Sequence, residues 1–152
     1  MNKLNQKQIF LFSGEDEGMQ EAIKIAQEEF PKFKEEIETE SKRILPVMTE
    51  CLIKYAFPSD DNKVKMEHMF LSNIYSDGNN VYGTLVSEPL YTKKVKEGDK
   101  IKVELDRVSD WLYIIDDKTH GGYTFKYMWK KFSDFEKEKY RNHPPFCWLE
   151  LN

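Results

Sequence analysis

At Pro46 the spacing of apolar residues changes, and the change restricts the chain to a fold in which helix precedes sheet. Before it, Met19, Ala22, Ile23, Ala26, Phe30, Phe33 and Ile37 recur at intervals of three and four, with Glu and Lys filling most of the remainder. Such a stripe is the buried face of an amphipathic helix. After it, Val47, Cys51, Ile53, Tyr55 and Phe57 share one side of an alternating run that ends at the Pro58, Ser59, Asp60, Asp61, Asn62 turn. Helices followed by strands is the element order of an α+β fold.

The helical region is expected over residues 15–45. Ser13 or Asp16 can cap its start, and Glu15, Asp16 and Glu17 lie where the helix dipole favours acids. Pro31 interrupts the pattern. Inside a helix it costs about 3 kcal/mol, whereas at a first helical position it costs little, so the sequence predicts an N-terminal helical pair.

An antiparallel sheet of five or six strands, with room to curl into a half-barrel, is expected over residues 47–129. The second strand carries Val64, Met66, His68 and Phe70 on one face, and Asp77, Gly78, Asn79 and Asn80 form the hairpin turn into a third strand over 81–87. Ile101, Val103 and Leu105 mark a fourth, and residues 111–115 a fifth. Tyr123, Phe125, Tyr127 and Trp129 line one side of a sixth, which leaves Gly121 and Gly122 in a hairpin. A short C-terminal helix follows, with Ser133 as its cap and Glu136 at the capping-box position, in a tail spanning 132–152. Residues 1–152 are expected to form a single domain.

Composition narrows the function classes. The 23 basic and 27 acidic residues give a net charge of −4, and the one basic cluster, Lys93, Lys94, Lys96, Lys100 and Lys102, is diluted by Glu97 and Asp99. Nucleic-acid binding, which rests on counterion release at a basic face, is disfavoured. No apolar run is long enough to span a membrane, and the opening residues lack the apolar core of a secretory signal, so a cytoplasmic location is expected. Cys51 and Cys147 are too few for a disulfide scaffold and are expected as reduced thiols. The 14% aromatic content is heavy for a chain one third charged and suits a sheet-based core.

A hairpin turning at 58–63 would set Ile53 opposite His68 and Cys51 opposite Phe70, bringing thiol and imidazole onto one face. The apolar neighbours Ile53, Val64, Met66 and Phe70 favour a core role over a thiolate nucleophile. Glu67 and His68 point to opposite faces of a regular strand, so a polar site joining them with Asp110 requires a bulge. Asp110 reads as a turn acid and Trp111 as a core anchor; were Trp111 exposed, it would form a binding surface with Tyr82, Tyr91 and Tyr113. His68, His120 and His143 lack a ligand partner at short spacing, and the glycine pair lacks the following helix that a phosphate cradle needs. The sequence therefore offers no catalytic residue, no metal ligand and no cofactor. Its candidate binding residues are Glu67, His68, Asp110 and Trp111.

One resemblance bears on this reading. Glu67, His68, Met69, Phe70 and Leu71, then Gly83, Thr84 and Leu85, then Glu88 and Pro89, Gly98 and Asp99, Ser109, Asp110 and Trp111, and finally Gly121, Gly122, Tyr123 and Thr124 occur in that order. Over residues 17–128 the chain resembles the bacterial domain of unknown function 2314, or YegJ-like, family. Two positions depart from the family pattern, which has Trp at Phe70 and Asn at Ser87. The resemblance implies a small bacterial domain, sometimes fused to repeat-containing partners, and supplies no catalytic residue.

The leading functional reading is a non-enzymatic protein-interaction module of immunity or regulatory type, with an unidentified protein partner and a monomeric or weakly dimeric state. The alternative is a small-ligand-binding domain or hydrolase with its pocket in the curled sheet around His68.

Overall fold

A computed structural model describes residues 16–151; Ser13, Glu15, the opening residues and Asn152, which enter some of the expectations, lie outside it. The first element is one continuous helix, α1 (Glu17–Lys42), and not a helical pair. Asp16 caps it, its carboxylate accepting the Gly18 and Met19 amides at 2.9 and 3.2 Å. Pro31 lies inside the helix on its exposed side. The buried stripe of Ala22, Ala26, Phe30, Phe33 and Ile37 runs through it without a break. Each large apolar side chain removed from water contributes about 1.5–3 kcal/mol, so Phe33 and Ile37 together offset the proline.

The sheet is antiparallel and open, in the order β4-β3-β2-β1-β5-β6. Its strands are β1 (Met48–Pro58), β2 (Met66–Ser76), β3 (Val81–Leu85), β4 (Lys100–Lys102), β5 (Val108–Ile115) and β6 (Lys118–Gly121). A 3₁₀ turn, Leu105–Arg107, replaces the end of the expected fourth strand. Asp116 and Asp117, at φ 53° and 61°, supply the two left-handed residues that a two-residue hairpin between β5 and β6 needs.

Tyr123, Phe125, Tyr127 and Trp129, read as a sixth strand, instead belong to helix α2 (Tyr123–Lys131). Its buried residues are Thr124, Phe125, Met128 and Trp129, a helical spacing hidden by the alternation of aromatics. Gly121 and Gly122 thus do join a strand to a helix. Gly121 has φ 85°, and a Cβ there would fall 2.2 Å from the Trp111 carbonyl oxygen, so both conformation and contact require glycine. The C-terminal helix α3 (Asp134–Tyr140) has the expected capping box between Ser133 and Glu136.

Helices cover both faces of the sheet. On one, α1 packs through Phe30, Phe33 and Ile37 over Ile53, Tyr55, Met69, Leu71, Leu85 and Trp111. On the other, Phe125, Met128, Trp129, Tyr140 and Phe146 pack over Phe70. The first turn of α1 meets α2, where Asp16 accepts the Tyr127 hydroxyl and a Cβ at Gly18 would overlap the Tyr127 ring.

Candidate functional site

The register decides which candidate residues meet. In the β1–β2 hairpin Ala56 lies opposite His68 and Lys54 opposite Phe70, three residues from the register expected from sequence. An odd shift exchanges faces. Cys51 therefore packs under α1 with Ile53, while His68 points to the α2 side, and the thiol and imidazole are not brought together. Burial pushes the Cys51 thiol up to about 12, with Glu40 and Glu50 adding to the effect, so it carries no thiolate at neutral pH.

The four candidate binding residues divide between the two faces. Glu67 lies on the α1 side, where its carboxylate accepts the backbone amides of Leu90, Tyr91 and Thr92 at 2.6, 3.0 and 2.9 Å and fixes the loop after β3. Trp111 lies on the same side as a buried anchor: its indole Nε1 donates to the Ala26 carbonyl at 2.8 Å, and its ring stacks on Phe33 with centroids 5.0 Å apart. His68 and Asp110 lie on the opposite side. A bulge does occur near these residues, on β5 and not at Glu67 and His68: Lys54 pairs with Asp110 and Tyr55 with Val108, leaving Ser109 extra and able to meet His68.

Around Asp110 the structure builds a buried polar network. The side chain is 0% exposed. One carboxylate oxygen accepts the Trp111 and Tyr123 amides at 2.8 and 3.2 Å; the other accepts the Thr124 amide at 2.7 Å and the Thr124 hydroxyl at 2.6 Å. All four groups are donors, which suits the carboxylate form. Burial raises the Asp110 carboxyl above its ordinary range, opposed by Thr124, the Lys54 charge and the amides. The strand acid thus fills the N-terminus of α2, where unpaired amides and the helix dipole favour an anion.

Lys54, 3% exposed, completes the arrangement by donating to the Thr124 hydroxyl at 3.3 Å while its ammonium sits 5.1 Å from the Phe125 ring centroid. Burial pulls it down to about 8, against the attraction of Asp110. His68, 7% exposed, has Nδ1 2.6 Å from the Ser109 hydroxyl. Burial and then the Lys54 charge hold it down to about 3, so its imidazole is neutral and a weak base at pH 7. The network fastens β5, β1 and α2 together. A lysine in an alternating strand reads as solvent-facing, and the signal for Lys54 was its position between Leu52 and Ala56 on the same face; Ser109 and Thr124 stand in the sequence among the residues that carry the family resemblance, with nothing local to assign them this role.

His68 yields a pH prediction. Unfolded, it titrates near 6.5; folded, near 3. As pH falls through this interval the unfolded chain takes up a proton that the folded one refuses, so stability declines by roughly 1 kcal/mol per pH unit. Denaturant melts between pH 7 and 4 should show this slope in the wild type and a shallower one in His68→Gln.

A different feature marks the surface. The turn between α1 and β1 presents Ile44, 97% exposed, and Leu45, 79% exposed. Glu40 holds this turn by accepting from Arg43 at 2.9 Å and from the Val47 and Met48 amides at 3.2 and 3.1 Å.

The model of the family described as uncharacterised proteins conserved in bacteria, DUF2314, matches residues 16–146. A putative ankyrin repeat protein of Neisseria meningitidis serogroup B is 29% identical over 133 residues, which are 87% of this chain and 53% of that protein. The uncharacterised protein YegJ of Escherichia coli K12 is 30% identical over 109 residues, 71% of this chain and 65% of that protein. The chain thus spans between half and two thirds of the length of these curated relatives. No solved structure matches it significantly. The two departures from the family pattern meet in space: the Ser87 hydroxyl accepts the Phe70 amide at 3.1 Å, and Phe70 stacks on Phe125 with centroids 5.8 Å apart. Among the described residues, no helix is long and apolar enough to cross a membrane, and no cluster of three or more potential ligands is placed to hold a metal ion.

Proposed function

The chain belongs to the DUF2314 family, and from that premise we propose that it is a non-enzymatic protein-interaction module, of regulatory or toxin-neutralising type, that engages its partner through the α1–β1 turn. The observation carrying this reading is the pair Ile44 and Leu45, large apolar side chains held outward on a turn that Glu40 fastens. An apolar tip on a fixed backbone is suited to an apolar recess in another protein, because little freedom remains to be lost on binding. The name of the Neisseria relative, an ankyrin repeat protein, is in keeping with a role among protein partners. The alternative of a hydrolase or ligand site around His68 has less support, since that imidazole is buried against Ser109 and nearly always neutral.

An Ile44→Asp/Leu45→Asp double variant tests the proposal. Both positions are exposed, so the melting temperature should stay within a few degrees of wild type. Capture of the partner from the native host by tagged wild-type protein, and its loss with the double variant, is the expected result. Equal capture by both proteins would remove the turn from the interface.

A further inference from the structure

Glu29 and Glu36 lie two turns apart on α1, about 10 Å along its axis, both half-buried at the margin of the buried stripe. Each acts on a tyrosine. Burial and then the Glu29 charge push the Tyr123 phenol above its ordinary range, and burial and then the Glu36 charge do the same to Tyr113. The two carboxylates differ in what meets them. Lys32 reaches Glu29 at 2.7 Å. Oε2 of Glu36, in contrast, is buried and has no hydrogen-bond donor, although the side chain as a whole is 35% exposed. Arg43 places Nη2 3.7 Å from that oxygen, beyond a hydrogen bond, while its Nη1 engages Glu40 at 2.9 Å. Tyr113 is 8% exposed, and among the described residues its hydroxyl has no hydrogen-bond partner. Next to Tyr113 runs β6, the edge strand, whose exposed His120 stacks on the Tyr113 ring with centroids 4.7 Å apart. This margin of α1 therefore borders solvent.

We propose that Glu36 and Tyr113 form a binding site for a primary ammonium group at the end of an alkyl chain. A buried carboxylate oxygen without a donor is costly, and a donor from outside the chain removes the cost. The terminal torsion of a glutamate is soft, so Glu36 can turn either oxygen toward an incoming group. An ammonium is a compact charge with three donors and no acceptor, able to serve a carboxylate on α1 and a hydroxyl on β5 together. A guanidinium fork that met both Glu36 oxygens would lie against the Arg43 fork beside Oε2, whereas an ammonium needs only one of them. An anion would be repelled by Glu36 and Glu40. The pairing of Lys32 with Glu29 is the same contact completed within the chain. Two sources carry such a group, a lysine in a polypeptide and a free diamine. The site uses neither Ile44 nor Leu45, so it stands independently of the α1–β1 turn.

Titration of the full ¹⁵N-labelled chain with Nα-acetyl-lysine methylamide and with cadaverine, followed by amide chemical shifts, tests the site. The Nε-acetylated form of the lysine compound is the neutral control. Saturable shifts centred on residues 33–40 and 112–121 are expected with both amines; tighter binding of the blocked lysine assigns the polypeptide source, and tighter binding of cadaverine the free diamine. The acetylated control, and either amine with Glu36→Gln, should bind at least about tenfold more weakly, the loss of one charge-assisted contact. At about 0.1 M salt Glu29→Gln should leave the affinity within about twofold, since a charge about 10 Å away is largely screened. No saturation by about 20 mM, equal binding of the amine and its acetylated form, shifts centred elsewhere, or an equal loss with Glu29→Gln would overturn the proposal. Should Glu36→Gln lower the melting temperature, the comparison of amine with acetylated form on the wild-type chain decides alone.

Discussion

Asp110→Asn should leave the protein about 3–5 kcal/mol less stable than wild type, lowering its melting temperature by about 10 °C or more. The substitution preserves shape almost completely, so the cost comes from chemistry. Asp110 accepts from four donors, and an asparagine would turn an N–H₂ group toward some of them while removing the charge that faces the α2 N-terminus. Lys54 would then be a buried cation without its counter-charge, since it reaches Asp110 through the Thr124 hydroxyl. A double-mutant cycle separates these contributions. Lys54→Met removes the buried ammonium, and Asp110→Asn in that background should cost less than in the wild type, with a coupling of about 1–2 kcal/mol. Urea denaturation of the four proteins at pH 7 provides the measurement. Additive effects would mean that Lys54 and Asp110 act independently and that the network is not a unit.

Trp111→Ala should cost a comparable 3–5 kcal/mol, roughly the upper range for truncating a large core side chain. The indole stacks on Phe33 and Tyr113, meets Tyr123 edge-on with centroids 5.6 Å apart, and donates to the Ala26 carbonyl. Its removal opens a cavity between α1 and β5 that these rings can only partly close. Trp111→Phe should cost clearly less, because it retains a stacking ring and loses the indole N–H. Calorimetric melts of both variants check the order. An unchanged midpoint for Trp111→Ala would contradict the buried position and return Trp111 to the candidate binding surface.

How far each residue's role could be read in advance depended on how local its determinants are. The Asp16 cap, the Ser133–Glu136 capping box and the turn at Asp77–Asn80 rest on contacts within three or four residues, and all three appear as the sequence indicates. Trp111 as a core anchor was legible because it opens an apolar run. In the α2 segment Tyr, Phe and Trp at alternate positions imitate a strand, while the cap on its first amides comes from Asp110, thirteen residues upstream of Tyr123, across the fold.

That helix precedes sheet, that the sheet is antiparallel and that α1 buries the stripe from Met19 to Ile37 all follow from the order of residues, since periodicity and turn chemistry are properties of neighbours in the chain. That Pro31 stays within a single helix, that His68 faces Ser109 and not Cys51, and that Lys54, Asp110 and Thr124 form one buried network emerges from packing between distant elements. Each of these turns on a long-range balance. Burial across the sheet outweighs a local proline penalty, the register fixes which face every strand residue takes, and a second helical layer converts an apparently exposed lysine into an interior one.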